Sequence, residues 1–320
     1  MITAIDLFSG CGGLSLGFQK AGVEILAAID NWDIALEIYR NNFNHLTIKQ
    51  DISDEIITKK IIQKLAPHMI IGGPPCQDFS SAGKRNMSGD RANLTYNFTN
   101  IICELKPKWF VMENVPRITK SQVFSVISKQ YLNAGYGLSA ITLDASLCNV
   151  PQSRLRLFLI GELLGEQNKL IPFLKSNLSD RPMTIRDYLG DRLNLQYYYR
   201  HPRSYARRGI FSIDEPSPTI RGVNRPMPPN YQLHSGDPQD IDLSQIRSLS
   251  TIERSYIQTF PDSFKFSGTK THLEQVIGNA VPVNLAFLVA SAIINYIKNQ
   301  NSDQNQLETF RINRQLCLHF

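Results

Sequence analysis

Three short stretches carry residue types that can do covalent chemistry together. A thiol stands at Cys76 in Gly73-Pro74-Pro75-Cys76-Gln77, a carboxyl at Glu113 in Glu113-Asn114-Val115, and two guanidiniums at Arg154 and Arg156 in Gln152-Ser153-Arg154-Leu155-Arg156. A lone cysteine is most often a small buried hydrophobe. The setting of Cys76 argues otherwise. Two prolines fix φ and remove two N–H donors, while the glycines before them let the backbone approach a ligand, which makes a stiff platform for one thiol. A thiolate beside a proton donor and cationic hydrogen-bond donors suits addition to carbon 6 of a pyrimidine. Electron density then moves toward ring nitrogen 3, where Glu113 can donate a proton or a strong hydrogen bond. Carbon 5 becomes nucleophilic enough to take a methyl group from a sulfonium, and loss of its proton expels the thiol. Arg154 and Arg156 would hold the base oxygen or the carboxylate by charge-assisted hydrogen bonds. The set needs no metal, and the five cysteines (Cys11, Cys76, Cys103, Cys148, Cys317) are odd in number and lack paired ligand spacing.

The elements that must position these groups alternate along the chain. His68-Met69-Ile70-Ile71 reads as a short buried strand delivering the cysteine turn. The chain opens in the same way: an apolar strand over residues 4–8, the turn Ser9-Gly10-Cys11-Gly12-Gly13, and an amphipathic helix closed by Gly22. Ser15 stands where a dinucleotide fingerprint would have its third glycine, and no Lys-Ser or Lys-Thr pair follows, so a phosphate-binding loop is disfavoured. A second strand ends at Asp30, twenty positions past Gly10, with Trp32 just beyond. An acid for ribose hydroxyls and a ring for a purine at these places point to nucleoside binding. Further strands end at Asp51 and at Glu113, and two more apolar runs cover residues 138–143 and 155–161. Strands separated by helix-length segments predict an α/β fold, a doubly wound, mostly parallel sheet covered on both faces, with Gly10, Asp30, Asp51, Cys76 and Glu113 along one rim.

The formal charge of +6 and a pI near 9.0 point to a polyanionic partner. The scattered cysteines and the strand-like start are expected of a cytoplasmic protein, and no apolar stretch reads as long enough to span a bilayer. Near Pro172 the composition changes. Nine arginines and no lysine occupy residues 181–231, with a Tyr197-Tyr198-Tyr199 cluster. This predicts a second, smaller, irregular β-rich domain over residues 175–264, with a hinge near 247–264, while residues 1–174 and 265–320 form the large domain. Arginine without lysine suits bidentate recognition of guanine edges and phosphates. A helix is expected over residues 284–297, with Leu285, Leu288, Val289, Ala292 and Ile293 packing back on the large domain, followed by an Asn/Gln-rich linker at 299–306.

These motifs, in this order, resemble those of a DNA (cytosine-5)-methyltransferase of the bacterial restriction-modification type. Asp6-Leu7-Phe8-Ser9-Gly10-Cys11-Gly12-Gly13 is similar to the family's cofactor loop, and Pro74-Pro75-Cys76-Gln77, Glu113-Asn114-Val115 and residues 152–156 to its active-site motifs. Residues 247–261 and 275–282 resemble its last two motifs. The resemblance implies the S-adenosylmethionine-dependent methyltransferase fold. It implies S-adenosylmethionine as cofactor, contacted by Phe8, Gly10, Gly12, Asp30, Trp32, Asp51, Ile52, Pro75, Leu94 and Asn279. It further implies Cys76 as nucleophile, Glu113 as the group that protonates cytosine, and Arg154 and Arg156 as base-positioning groups. Gln77, Ser80 and Lys84 would belong to a loop that closes on double-stranded DNA, and Arg207, Arg208, Thr219, Arg221 and Arg225 would touch DNA from the recognition domain. Asp30 stands where many relatives have glutamate, which should weaken ribose contact slightly. The target base would be flipped out of the duplex. The resemblance also implies a monomer with no membrane association, acting on nucleoid DNA, with a cognate endonuclease sharing its site. Two other readings compete: an RNA cytosine methyltransferase with the same motifs, and a non-enzymatic DNA-binding protein.

Overall fold

The computed structural model describes residues 1–75, 90–204 and 207–316, with the side chains within them except those of 90–93 and 301–316. Along the chain the elements are β1 (Thr3–Leu7), α1 (Gly13–Lys20), β2 (Glu24–Asp30), α2 (Asp33–Arg40), β3 (Leu46–Lys49), α3 (Glu55–Leu65), β4 (Met69–Gly72), α4 (Asp90–Leu105), β5 (Trp109–Asn114), α5 (Gln122–Asn133), β6 (Tyr136–Asp144), β7 (Gln152–Ser153) and β8 (Leu155–Leu163). Then come α6 (Ile171–Lys175), α7 (Ile185–Leu189), β9 (Tyr197–Tyr199), β10 (Ile210–Ser212), β11 (Ser217–Pro218), α8 (Thr251–Ile257), α9 (Lys270–Asn279) and α10 (Val283–Leu316).

Seven strands form one sheet in the order β3-β2-β1-β4-β5-β8-β6. The pairs β1–β2, β1–β4, β2–β3 and β4–β5 are parallel, as helical crossovers require, and β8 runs antiparallel to both β5 and β6. Strand order reverses between β1 and β4, so the chain there leaves a crevice beyond the carboxyl ends of the strands. Both faces are covered. Ala4, Ile71, Val111 and Ile160 pack with Leu14 and Phe18 of α1 and Leu285, Val289 and Ile293 of α10. Ile5, Leu7, Ile70 and Phe110 pack with Phe98 and Ile102 of α4 and Ile127 and Tyr131 of α5.

The contact between α1 and α10 is close because Gly17 has no side chain. A Cβ there would fall 2.4 Å from Ala286 Cβ and 2.7 Å from the Val283 carbonyl and the Phe287 nitrogen. Two expectations for this end of the chain are corrected. No glycine or proline interrupts Val283–Leu316, so the helix continues through the Asn/Gln-rich residues instead of giving way to a linker. The stretch Lys270–Gln300 is also apolar and long enough to cross a bilayer, with a mean hydropathy of 1.9. Of that apolar window 67% is buried inside the protein, which is how a core helix meets the same criterion.

Residues 175–264 are largely irregular. Thr184 and Asp187 cap α7 reciprocally, β9 and β10 form a hairpin, and β11 pairs in parallel with β7. Ile185, Tyr198, Phe211, Ile220 and Leu249 of this segment share one apolar cluster with Ala28, Ala35, Ile38 and Tyr39, so it is welded to the large domain through a common core.

Candidate active site

The carboxyl ends of β1, β2, β4 and β5 open into one cavity of about 500 Å³. At the end of β1, Phe8 takes a left-handed φ of 59°, a conformation bulky residues rarely adopt, and Gly10 follows at 54°. A Cβ on Gly10 would meet nothing within 4 Å, so the turn leaves open space on its cavity side. Asp30 fixes this turn: its carboxylate accepts the Gly10 N–H at 2.8 Å and the Trp32 N–H at 2.9 Å. Burial raises the Asp30 pKa above the ordinary carboxylate value, against those backbone hydrogen bonds. Phe8, Gly10, Asp30, Trp32, Asp51, Ile52, Pro75, Leu94 and Asn279 all line the cavity. Gly12 does not. At φ 95°, a Cβ there would fall 2.4 Å from the Phe43 ring, so its part is to let the turn close against the α2 region.

Among the lining residues that the predicted site set lacks, two carry polar side chains next to the glycine turn and the strand ends. Ser9 has a buried hydroxyl with no hydrogen-bond partner among the described residues, so it can donate to or accept from a ligand in the cavity. Asn31 also faces the cavity and hydrogen-bonds Asp51, which lies below the usual carboxylate range chiefly through Ser53. Aromatic surface, carboxylates for ribose, an open glycine turn and an unmatched hydroxyl make a donor and acceptor set that fits S-adenosylmethionine.

Glu113 enters the cavity from the end of β5. Its Oε1 lies 2.8 Å from Arg156 Nε, and its Oε2 would stand 3.1 Å from a Cβ on Gly73. The neighbouring Asn114 donates from Nδ2 to the Pro74 carbonyl at 3.1 Å, tying β5 to the turn that leads to position 76. Cys76, Gln77, Ser80 and Lys84 lie outside the described residues. Burial pushes the thiols of Cys11 and Cys148 up to about 12 and that of Cys103 up to about 11, so these three are inert at neutral pH.

Arg154 lines the cavity with Glu113 and Arg156, and its guanidinium is also anchored by backbone. It is 2% exposed, and its guanidinium donates to the carbonyls of Ile220 (3.0 Å), Gly278 (3.2 Å) and Ala280 (3.2 Å). Burial and the neighbouring Arg156 lower its pKa to about 9. Gln152 completes this junction by accepting the Ile220 N–H at 2.8 Å and donating to Gln258 at 2.7 Å. Arg154 therefore holds the backbone at Ile220 and at Gly278 to Ala280 against the cavity rim.

Four of the nine arginines of residues 181–231 are paired with carboxylates. Arg181, Arg186, Arg192 and Arg208 pair with Asp187, Asp214, Asp262 and Glu215. Arg208 also lies over the Phe211 ring. Thr219 is likewise engaged, donating to the Ser153 carbonyl at 2.9 Å. Arg207 and Arg225 are exposed, and Arg221 is half-buried.

Taken together, the doubly wound sheet and the cavity at its switch point define an S-adenosylmethionine-dependent methyltransferase. Within that class, the chain belongs to the C-5 cytosine-specific DNA methylase family, whose model matches residues 2–295. It is 64% identical over 294 residues to the Type II methyltransferase M.HindV of Haemophilus influenzae, covering 92% of this chain and 97% of that one. It is 50% identical over 303 residues to the Type II methyltransferase M.HgiDI of Herpetosiphon aurantiacus, covering 95% and 97%. Two solved structures share the fold alone: the methyltransferase EhMeth of Entamoeba histolytica (TM-score 0.71, 20% identity, 94% of this chain and 98% of that one) and the Dnmt2 methyltransferase of S. pombe (TM-score 0.70, 22% identity, 94% and 100%). The protein uses S-adenosylmethionine to methylate carbon 5 of cytosine in double-stranded DNA, and the family and its relatives weigh against the RNA reading.

Proposed function

We propose that methyl transfer proceeds through a covalent adduct between Cys76 and carbon 6 of a cytosine flipped out of a specific duplex site. The observation that carries this reading is the join between Glu113 and the turn before Cys76, made by the close approach of its carboxylate to Gly73 and by the Asn114–Pro74 hydrogen bond. In the first step the Cys76 thiolate forms the S–C6 bond, and Glu113 supplies a proton or strong hydrogen bond at ring nitrogen 3. Arg156 holds the Glu113 carboxyl and lies beside the space for the base, while Arg154 acts as a positioning residue. The cofactor, when bound, supplies an electrophilic methyl group; Phe8, Ser9, Asp30, Trp32 and Ile52 would hold it. Once carbon 5 carries the methyl group, loss of its proton breaks the S–C6 bond and frees the thiol. The raised thiol pKa values of Cys11, Cys103 and Cys148 support the choice of Cys76.

Residues 175–264 act as the target-recognition part and residues 1–174 with 265–320 as the catalytic part. Gln77, Ser80 and Lys84 close on DNA. The enzyme works as a monomer on nucleoid DNA, protecting a site that a cognate endonuclease cuts. The test uses duplex DNA with 5-fluorocytosine at the methylated position, first located by bisulfite sequencing of host DNA. With S-adenosylmethionine present, methyl transfer leaves fluorine on carbon 5, and fluorine cannot leave as the proton does, so wild-type protein should become covalently attached to DNA while Cys76→Ser does not. Attachment by the serine variant, or none by the wild type, would refute the nucleophile assignment.

A further inference from the structure

The backbone between β11 and Gly222 is held in an unusual way. Three successive carbonyls each accept from a guanidinium: Thr219 from Arg200 at 2.8 Å, Ile220 from Arg154 at 3.0 Å, and Arg221 from Arg254. Arg254 is neutralised by Glu274. Arg200, Arg203 and Arg221 form no ion pair with a carboxylate among the described residues, in contrast to Arg181, Arg186, Arg192 and Arg208. Arg221 donates to the His201 carbonyl, and its Nε is buried without a partner. Burial and the charges of Arg221 and Arg203 bring Arg200 down to about 10, and burial with Arg203 lowers Arg221. Partly desolvated like charges gathered without an anion destabilise the fold, and a bound anion would relieve them.

The shape of the gap decides which anion. Between Tyr199, Arg200, His201, Arg221 and Arg254 lies a space of about 20 Å³. It has room for roughly one oxygen-sized group and none for a planar base. The backbone link through Thr219 and Ile220 sets this gap next to Arg154 and the active cavity. We propose that Arg200 and Arg221 hold one phosphodiester of the DNA backbone beside the methylated base, fixing register and carrying no base information. This rests on the DNA-methylation reading. It divides the arginines three ways: carboxylate-paired side chains at 181, 186, 192 and 208, a phosphate clamp at 200 and 221, and exposed side chains at 203, 207 and 225 left to read base edges.

The test measures binding of wild type and Arg221→Gln to a duplex containing the methylated site and to unrelated duplexes, over a range of salt. A phosphate clamp predicts a loss of roughly tenfold on all duplexes and a log–log salt slope smaller by about 1. Arg221→Lys should keep the slope. On the DNA side, a single neutral methylphosphonate scanned around the target cytosine should weaken wild-type binding at one linkage and add little to Arg221→Gln. That scan needs no altered protein, so it stands even if the variants fold poorly. A relaxed base preference at one position, an unchanged salt slope, or equal effects at every linkage would overturn the clamp. Methyl transfer by the wild type is recorded in parallel: its absence sinks the methylation reading, whereas transfer with a flat linkage scan sinks the clamp alone.

Discussion

Arg156 Nε and Glu113 Oε1 stand 2.8 Å apart across two antiparallel strands, with their side chains 16% and 12% exposed. Glu113 lies opposite Phe158 in the β5–β8 register, so Arg156 reaches it diagonally from two residues back. Removing either partner leaves a poorly solvated charge in the cavity. Glu113→Gln should lower the single-turnover methyl-transfer rate by about 10²–10⁴. Arg156→Gln should lower it by about 10²–10³, with little change in cofactor affinity. A wild-type rate in Arg156→Gln would show that the pair only supports the fold.

Gly73 sits where any side chain would press on that glutamate. With 3.1 Å between an added Cβ and Glu113 Oε2, Gly73→Ala forces a shift of a few tenths of an ångström at the carboxylate. A fall of about 10- to 100-fold in kcat is expected, with thermal stability nearly unchanged. Matching kcat values for variant and wild type would mean the carboxylate tolerates displacement.

Beneath the glycine turn, a buried relay runs from Asp6 to Ser15 Oγ (2.6 Å), on to Tyr39 (2.8 Å) and His45 (2.7 Å). Burial pushes Asp6 up to about 7 from an unfolded value near 3.8, Ser15 opposing the rise. Between these two pH values the unfolded chain is ionised while the folded carboxyl keeps its proton, so stability falls as pH rises through the window. The contribution is fully present below the unfolded value and lost above the folded one, about 4 kcal/mol in all. Asp6→Asn removes this titration. Melting temperatures from pH 5 to 8 should therefore decline more steeply for the wild type than for the variant; parallel curves would show that Asp6 does not titrate.

Much of the rim was legible because turn chemistry is local. Gly10, Asp30 and Trp32 announce themselves by type and by their places at strand ends, and the fold brings all three to one cavity. What sequence hid was decided by long-range backbone partners. The anchoring of Arg154 by the carbonyls of Ile220, Gly278 and Ala280 is of this kind, since carbonyls are the same for every residue type. Composition alone also made the nine arginines equivalent, although acids 5 to 70 positions away (Asp187 for Arg181, Asp262 for Arg192) had already claimed several. The C-terminal helix was cut short because Asn and Gln suggested a linker where no glycine or proline stops the helix.

Ser9 offers a test of the cofactor wall. Its hydroxyl is buried, lines the cavity and has no partner among the described residues. Ser9→Ala should weaken S-adenosylhomocysteine binding by roughly 3- to 10-fold in calorimetry while leaving the melting temperature nearly unchanged. Trp32→Ala should weaken it further through lost ring contact. Equal affinity in Ser9→Ala and wild type would remove the hydroxyl from the set of contacts.

The seat of α10 on Gly17 of α1 bears on when activity can begin. Phe8 to Trp32 make one side of the cavity and Val276 to Val281 another, so a ribosome must release nearly the whole chain before the pocket has all its walls. The cofactor pocket therefore has all its walls only once α9 and the turn after it have joined the sheet.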